Sequence, residues 1–240
     1  MILSRGFTLT LLFLYPYLSW SQYTKTILPD TANSTWLRID SLSKKATNKV
    51  VILTAKKKKS EINLISLNLD TSDPIAAIAY NTGGISIDDG WIRIFGSGNE
   101  NFRRDILQWN RNKTLGKAFM LIADDVIGGY YALNLGELGT DTAMVYYFSP
   151  KTLKYQPLNL NYLEFLSFCF SGDLDKFYTG MRWKTWRLDV GKLSFDDVFL
   201  FLPFLWNKQN LSIEKTIRKV IPAEEKYLLT QQEVRKNRIN

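Results

Sequence analysis

Apolar positions change their period near residue 83, and that change divides the chain into the elements it predicts. Before it, Trp36, Leu37, Ile39 and Leu42 are spaced for one helical face, with Ser34 or Thr35 as N-caps. Lys49 to Thr54 holds four consecutive apolar residues, Val50 to Leu53, and predicts a short strand. From Ser60, Ile62, Leu64, Ile65 and Leu69 form a second amphipathic segment, read as a helix with a strand as the alternative. Pro74 marks a boundary, and Ile75 to Tyr80 leads into the densest stretch of the chain, Asn81 to Gly98 (NTGGISIDDGWIRIFGSG). From Gly83 the period is two. Ile85 and Ile87 alternate, Asp88-Asp89-Gly90 turns the chain, and Trp91 to Phe95 follows as a strand. Lys117 to Ala123, Tyr130 to Leu135, Met144 to Phe148 and Leu153 to Leu158 continue the series. Short connections between them predict an antiparallel sheet.

Helical spacing returns at Asn161, with Glu164 placed for a capping box and Gly172 as the stop. Asp173 to Tyr178 reads as a second short helix, and Trp183 to Val190 and Phe195 to Leu202 as aromatic segments covering the core. A last helix begins near Pro222, with Glu224 and Glu225 at its positive dipole end and Arg235, Lys236 and Arg238 at the other.

The first residues stand apart from this pattern. Arg5 followed by the apolar run Phe7 to Leu18, then Ser19-Trp20-Ser21, predicts a removed signal peptide over 1–21. The run is too short for a roughly 30 Å bilayer core and contains Pro16, so no stable membrane anchor is expected. Residues 22–34 read as a lead-in and 35–240 as one domain, exported to the periplasm or beyond. Of 31 basic and 23 acidic residues only Arg5 lies in 1–21, so the remainder carries 30 against 23, a net +7. Lys56 to Lys59 is the sole basic run and reads as a solvated loop; no nucleic-acid partner is expected.

Candidate chemistry narrows quickly. The chain has no histidine, which removes Ser-His-Asp triads and histidine-based zinc sites. Cys169 is the one cysteine, among Leu166, Phe168 and Phe170, and suits a buried thiol. Gly83, Gly84, Gly96 and Gly98 match no phosphate-binding pattern and suit tight turns, and Gly128-Gly129 suits close backbone approach at the start of a core strand. Asp88-Asp89, Asp124-Asp125 and Asp196-Asp197 are adjacent pairs whose side chains diverge on a strand. A working acid–base pair would have to be assembled across elements, for instance Asp88 with Asp125. Neither a metal nor another cofactor is implied. Burial is the first reading of every tryptophan; an exposed platform for a sugar or a protein is the second. On that second reading the candidate binding residues are Trp91, Arg93, Arg182, Trp183 and Trp186.

Several segments in order resemble a bacterial family catalogued only as domain of unknown function 2625. They are 81–98, ADDVIGGYYALN at 123–134, VYYFSPKTL at 145–153, LEFLSFCFSGDLDKFY at 163–178, RWKTW at 182–186 and PFLW at 203–206. The central part is also similar to the SUKH superfamily, many of whose members bind proteins, including immunity proteins that neutralise toxins. The resemblance implies an α+β fold, a mostly antiparallel sheet flanked by helices, and a non-catalytic role in binding another protein. It carries no defined active site. The alternatives are an envelope hydrolase acting on carbohydrate through carboxylates, and a carbohydrate-binding module.

Overall fold

The computed structural model describes residues 31–67, 72–114, 116–207 and 212–239. The expected signal peptide, Leu69 and the lead-in up to residue 30 lie outside them. The fold is α+β. Seven strands form one antiparallel sheet in sequential order: β1 (Val50–Thr54), β2 (Thr82–Ile87), β3 (Ile92–Phe95), β4 (Phe119–Asp125), β5 (Tyr130–Asn134), β6 (Met144–Ser149) and β7 (Lys154–Asn161). Short turns join β2 to β3, β4 to β5 and β6 to β7, helices span the steps from β1 to β2 and from β3 to β4, and each strand pairs with the one before it in the chain.

Helices flank the sheet. α1 (Thr31–Lys44), α2 (Lys57–Leu67) and α3 (Pro74–Asn81) surround β1 in sequence, and α4 (Ile106–Lys113) interrupts the path from β3 to β4. α5 (Tyr162–Ser171) packs against β6, β7, α1 and α3. Every residue of β2 and β3 is consequently buried, whereas the outermost strand β7 alternates between exposed and half-buried positions. After α6 (Leu174–Phe177) and α7 (Trp186–Val190), β8 (Asp197–Leu202) and β9 (Ile217–Pro222) form a second, two-stranded sheet. α8 (Ala223–Ile239) packs against it. The Phe199 amide donates to the Val126 carbonyl at 2.8 Å, which ties the small sheet to the β4–β5 turn.

Local expectations and structure differ at several places: α2 starts at Lys57, within the basic run read as a loop, and α4 was not expected. α1 starts at Thr31, ahead of the expected caps Ser34 and Thr35. α3 replaces the expected lead-in: Asp73 accepts from the Ile75 amide at 2.7 Å and Pro74 opens the helix, while its apolar residues leave no polar face to reveal a period. Gly83 and Gly84 sit inside β2 rather than in a turn, where the Phe102 ring lies so close to Gly84 that a Cβ would meet it at 2.5 Å. Pro222 closes β9 opposite Asp197, so α8 begins one residue later than the proline implied. The capping box at Asn161 and Glu164 forms as read, with reciprocal bonds of 3.0 and 2.8 Å.

Candidate functional site

Trp91, Arg182, Trp183 and Trp186 come together, and the place they meet is interior. The 3₁₀ turn Asp88–Gly90 holds Asp88 and Asp89 at φ of 51° and 60°, a left-handed conformation that delivers Trp91 to the core. The segment from Arg182 to Val190 folds back over this turn. Trp91 lies 4.9 Å from Trp186, 5.8 Å from Trp183 and 5.2 Å from Tyr178, centroid to centroid. The Arg182 guanidinium sits 4.2 Å from the Trp186 ring and 4.7 Å from Trp91, and donates to Asp88 and Asp175 at 2.5 Å each. Arg187 is also 4.2 Å from Trp186 and lies 3.5 Å from both Asp88 and Asp89. The Trp183 indole donates to Asp189 at 2.5 Å.

This arrangement corrects the exposed-platform reading. Trp91, Trp183 and Trp186 retain 0, 2 and 6% of their surface, so none offers a ring face to a sugar or a partner. Both terminal nitrogens of Arg182 are engaged by carboxylates, and its guanidinium lies against the Trp91, Trp186 and Tyr178 rings. What the segment shows to solvent instead is Lys184, Arg187, Leu188 and Lys192. Leu188 is 70% exposed, and sequence reasoning passed over it because a lone leucine in an aromatic stretch reads as core.

Arg93 belongs elsewhere. It lies in β3 opposite Asp124 of β4, 1% exposed, and donates to Asp124 at 2.8 Å and to the Asp197 and Asp125 carbonyls at 2.5 and 3.1 Å. Arg104 takes the other Asp124 oxygen at 2.5 Å and the Phe195 carbonyl at 2.6 Å, stacking 5.0 Å over Trp109. Burial pushes the Arg93 pKa down, and the Asp124 charge opposes it. Asp196 receives Arg103 and Arg104. Its burial would raise its pKa, but the hydrogen bonds from Arg103 and the Arg104 charge together hold it below the ordinary carboxylate value.

Asp125 anchors a third polar group. It accepts the Gly129 and Ile127 amides on one oxygen, at 2.7 and 3.1 Å, and the Tyr147 and Tyr178 hydroxyls on the other, at 2.7 and 3.0 Å. Tyr178 donates there, so it must accept from Tyr131 at 2.5 Å. Burial pushes Asp125 up, and pushes the Tyr131, Tyr147 and Tyr178 phenols well above their ordinary value. Asp88 and Asp125 therefore serve separate networks, one of arginines and one of phenols. The Cys169 thiol is fully buried and pushed up by desolvation, which leaves it unreactive.

A solvent-open cleft of about 320 Å³ lies beside Arg104, lined by Arg103, Gln108, Trp109, Asp196, Pro222 and Glu224. Its two carboxylates are both paired, Asp196 with the arginines and Glu224 with Lys113. No three-residue cluster of metal-ligating side chains is found among the described residues, nor any helix long and apolar enough to cross a membrane.

Fold and site together define an α+β protein built on a seven-stranded meander, with buried ion-pair and tyrosine networks at its centre. The chain belongs to the family described as Protein of unknown function DUF2625, whose model matches residues 25–226. It is 44% identical over 199 residues to the "Putative uncharacterized protein YbfG" of Escherichia coli (strain K12), covering 82% of this chain and 91% of that protein. It is 36% identical over 205 residues to an "Uncharacterized protein" of Haemophilus influenzae (strain ATCC 51907 / DSM 11121 / KW20 / Rd), covering 83% and 90%. No solved structure matches the chain significantly.

Proposed function

We propose that the protein is an exported, non-catalytic module that binds another protein through the surface between Arg182 and Leu188. The observation that carries this reading is the exposed pair Arg187 and Leu188 on a helix fixed from beneath by three buried tryptophans. A rigid apolar-plus-guanidinium patch loses little entropy on binding, which is what a binding hot spot needs. Lys184, Arg187 and Lys192 on the same segment favour an acidic partner. The resemblance of the central part, from the Asp124-Asp125 strand end to LEFL at 163–166, to the SUKH superfamily supports a binding role, and the apolar run before Ser19 supports export.

The test is affinity capture from the native envelope with the wild-type protein and an Arg187→Glu/Leu188→Asp variant of equal fold by circular dichroism. One protein recovered by the wild type and lost by the variant is expected. Equal recovery by both, or none by either, would overturn the reading.

One observation favours a hydrolase instead: Asp196 and Glu224 line a common cleft. An acid–base pair needs one carboxyl raised to carry a proton. Asp196 is lowered, and Glu224 is largely exposed and tied to Lys113. Release of reducing sugar from envelope glycans, abolished by Asp196→Asn and Glu224→Gln, would establish this second reading.

A further inference from the structure

The geometry points to β1 as a strand-addition site that takes an acidic, extended segment of a partner protein; the inference rests on the binding role proposed above and names its chemistry. β1 is one of two edges of the seven-stranded sheet, and the two edges are built differently. Both edges carry a register shift, β1 between Leu53 and Thr54 and β7 opposite β6, but β7 also carries Lys154 and Pro157, devices that discourage further pairing. β1 reads VVILT, with no charge and no proline, and Val51 is 43% exposed. Among the described residues it pairs with β2 alone.

The ladder itself says which groups are free to pair. The Asp88 amide donates to the Lys49 carbonyl at 2.8 Å, and the register runs Val50 to Ile87 and Val51 to Ser86. Antiparallel pairs alternate between bonded and non-bonded positions, so Lys49, Val51 and Leu53 face β2. Val50 and Ile52 turn their N–H and C=O groups outward, the template an added strand requires.

Cations stand at both ends of this edge. At the start, Lys49 is 66% exposed and bonds Asp89, which also lies 3.5 Å from Arg187 of the proposed contact surface. At the end, Lys56, Lys57 and Lys58 are exposed, Lys56 with only a 3.9 Å contact to Glu100. The five-residue strand spans about 17 Å, so a strand with apolar residues at its centre and carboxylates at its ends fits both features. A basic or uncharged strand would gain the backbone bonds but lose the attraction at both ends.

The probe is the peptide acetyl-Glu-Val-Thr-Val-Thr-Ile-Thr-Val-Glu-amide, labelled for fluorescence anisotropy, with amide exchange followed at β1. Saturable binding is expected, with protection appearing at the Val50 and Ile52 amides. Replacing the peptide's glutamates by lysines weakens it about tenfold or more. Ile52→Pro removes one outward donor while sparing the bonds to β2, and weakens binding about tenfold, the worth of one good hydrogen bond. Lys57→Glu/Lys58→Glu leaves the fold untouched and gives a comparable loss. No peptide binding, binding unaffected by these variants, or protection of Val50 and Ile52 already complete without peptide would each overturn strand addition. Loss of partner capture by the Arg187 and Leu188 variant would still stand in that case, so failure here is separable from failure of the binding role.

Discussion

The Tyr178 hydroxyl donates to Asp125 at 3.0 Å while its ring lies 5.3 Å from the Arg182 guanidinium. One side chain thereby joins the arginine network around Asp88 to the phenol network around Asp125. Tyr178→Phe leaves Asp125 one donor short and the Tyr131 hydroxyl without its acceptor. The expected loss is about 1–3 kcal/mol, read from the urea midpoint. An unchanged midpoint would show that the Tyr178 hydroxyl bonds contribute nothing to stability.

Asp124 receives Arg93 on one oxygen and Arg104 on the other, all three nearly out of solvent. Asp124→Asn leaves the buried Arg93 guanidinium without a counter-charge and Arg104 with Asp196 alone, and arginine cannot shed its proton to relieve this. A loss of about 3–5 kcal/mol is expected. Replacing Arg93 by Met together with Asp124 by Leu costs less than the sum of the two single changes, because neither leaves the other charged alone. Additive losses in a double-mutant cycle would contradict that coupling.

The meander was legible because each strand pairs with its sequence neighbour, and the α5 start because Asn161 and Glu164 are three residues apart. α4 was not legible: Asn110 puts an amide on its buried side, where it exchanges two 2.7 Å bonds with the Leu121 backbone. A polar residue at a core position erases helical periodicity. The candidate site was half legible. Trp91 and the 182–187 segment could be picked out as aromatic clusters, but their burial depends on a chain reversal that brings together residues about ninety positions apart. Arg93 looked like their neighbour only because strand alternation placed it there; its partner Asp124 comes from the next strand. Arg104 and Asp196 carry no local signal, since what defines them is each other.

Gly129 is required by close approach rather than by a turn. A Cβ there would meet an Asp125 oxygen and the Tyr147 hydroxyl, both at 2.4 Å. Neither atom can retreat without breaking the bond between them, which is 2.7 Å long. Gly129→Ala is therefore expected to cost about 1–3 kcal/mol or more. Near-ultraviolet circular dichroism should report it through the tyrosines; an unperturbed tyrosine signal with full stability would contradict the account.

Lys226 supplies the clearest pH signature. It is 2% exposed, its stem lies against Gly128, and its Nζ sits 4.5 Å from the Trp206 ring. Burial lowers its pKa to about 8, with the Asp125 charge opposing. The unfolded chain keeps this proton up to about pH 10.4, so between about 8 and 10.4 the unfolded state binds more protons. Stability from this group is therefore lowest below pH 8 and rises through that window, by about 3 kcal/mol in all. Above about pH 10 the buried phenols act in the opposite sense, because the unfolded chain ionises its tyrosines while the folded one holds Tyr131, Tyr147 and Tyr178 protonated. Lys226→Met removes the lysine's contribution. At pH 7 the variant avoids the desolvation cost but loses the contact with Trp206, worth about 0.5–2 kcal/mol, and a net gain of about 1 kcal/mol is expected. Urea midpoints at pH 7, 8, 9 and 10 should show the two proteins converging and then crossing, as the wild type gains stability that the variant does not. A constant difference across that range would mean that Lys226 keeps its charge in the folded protein.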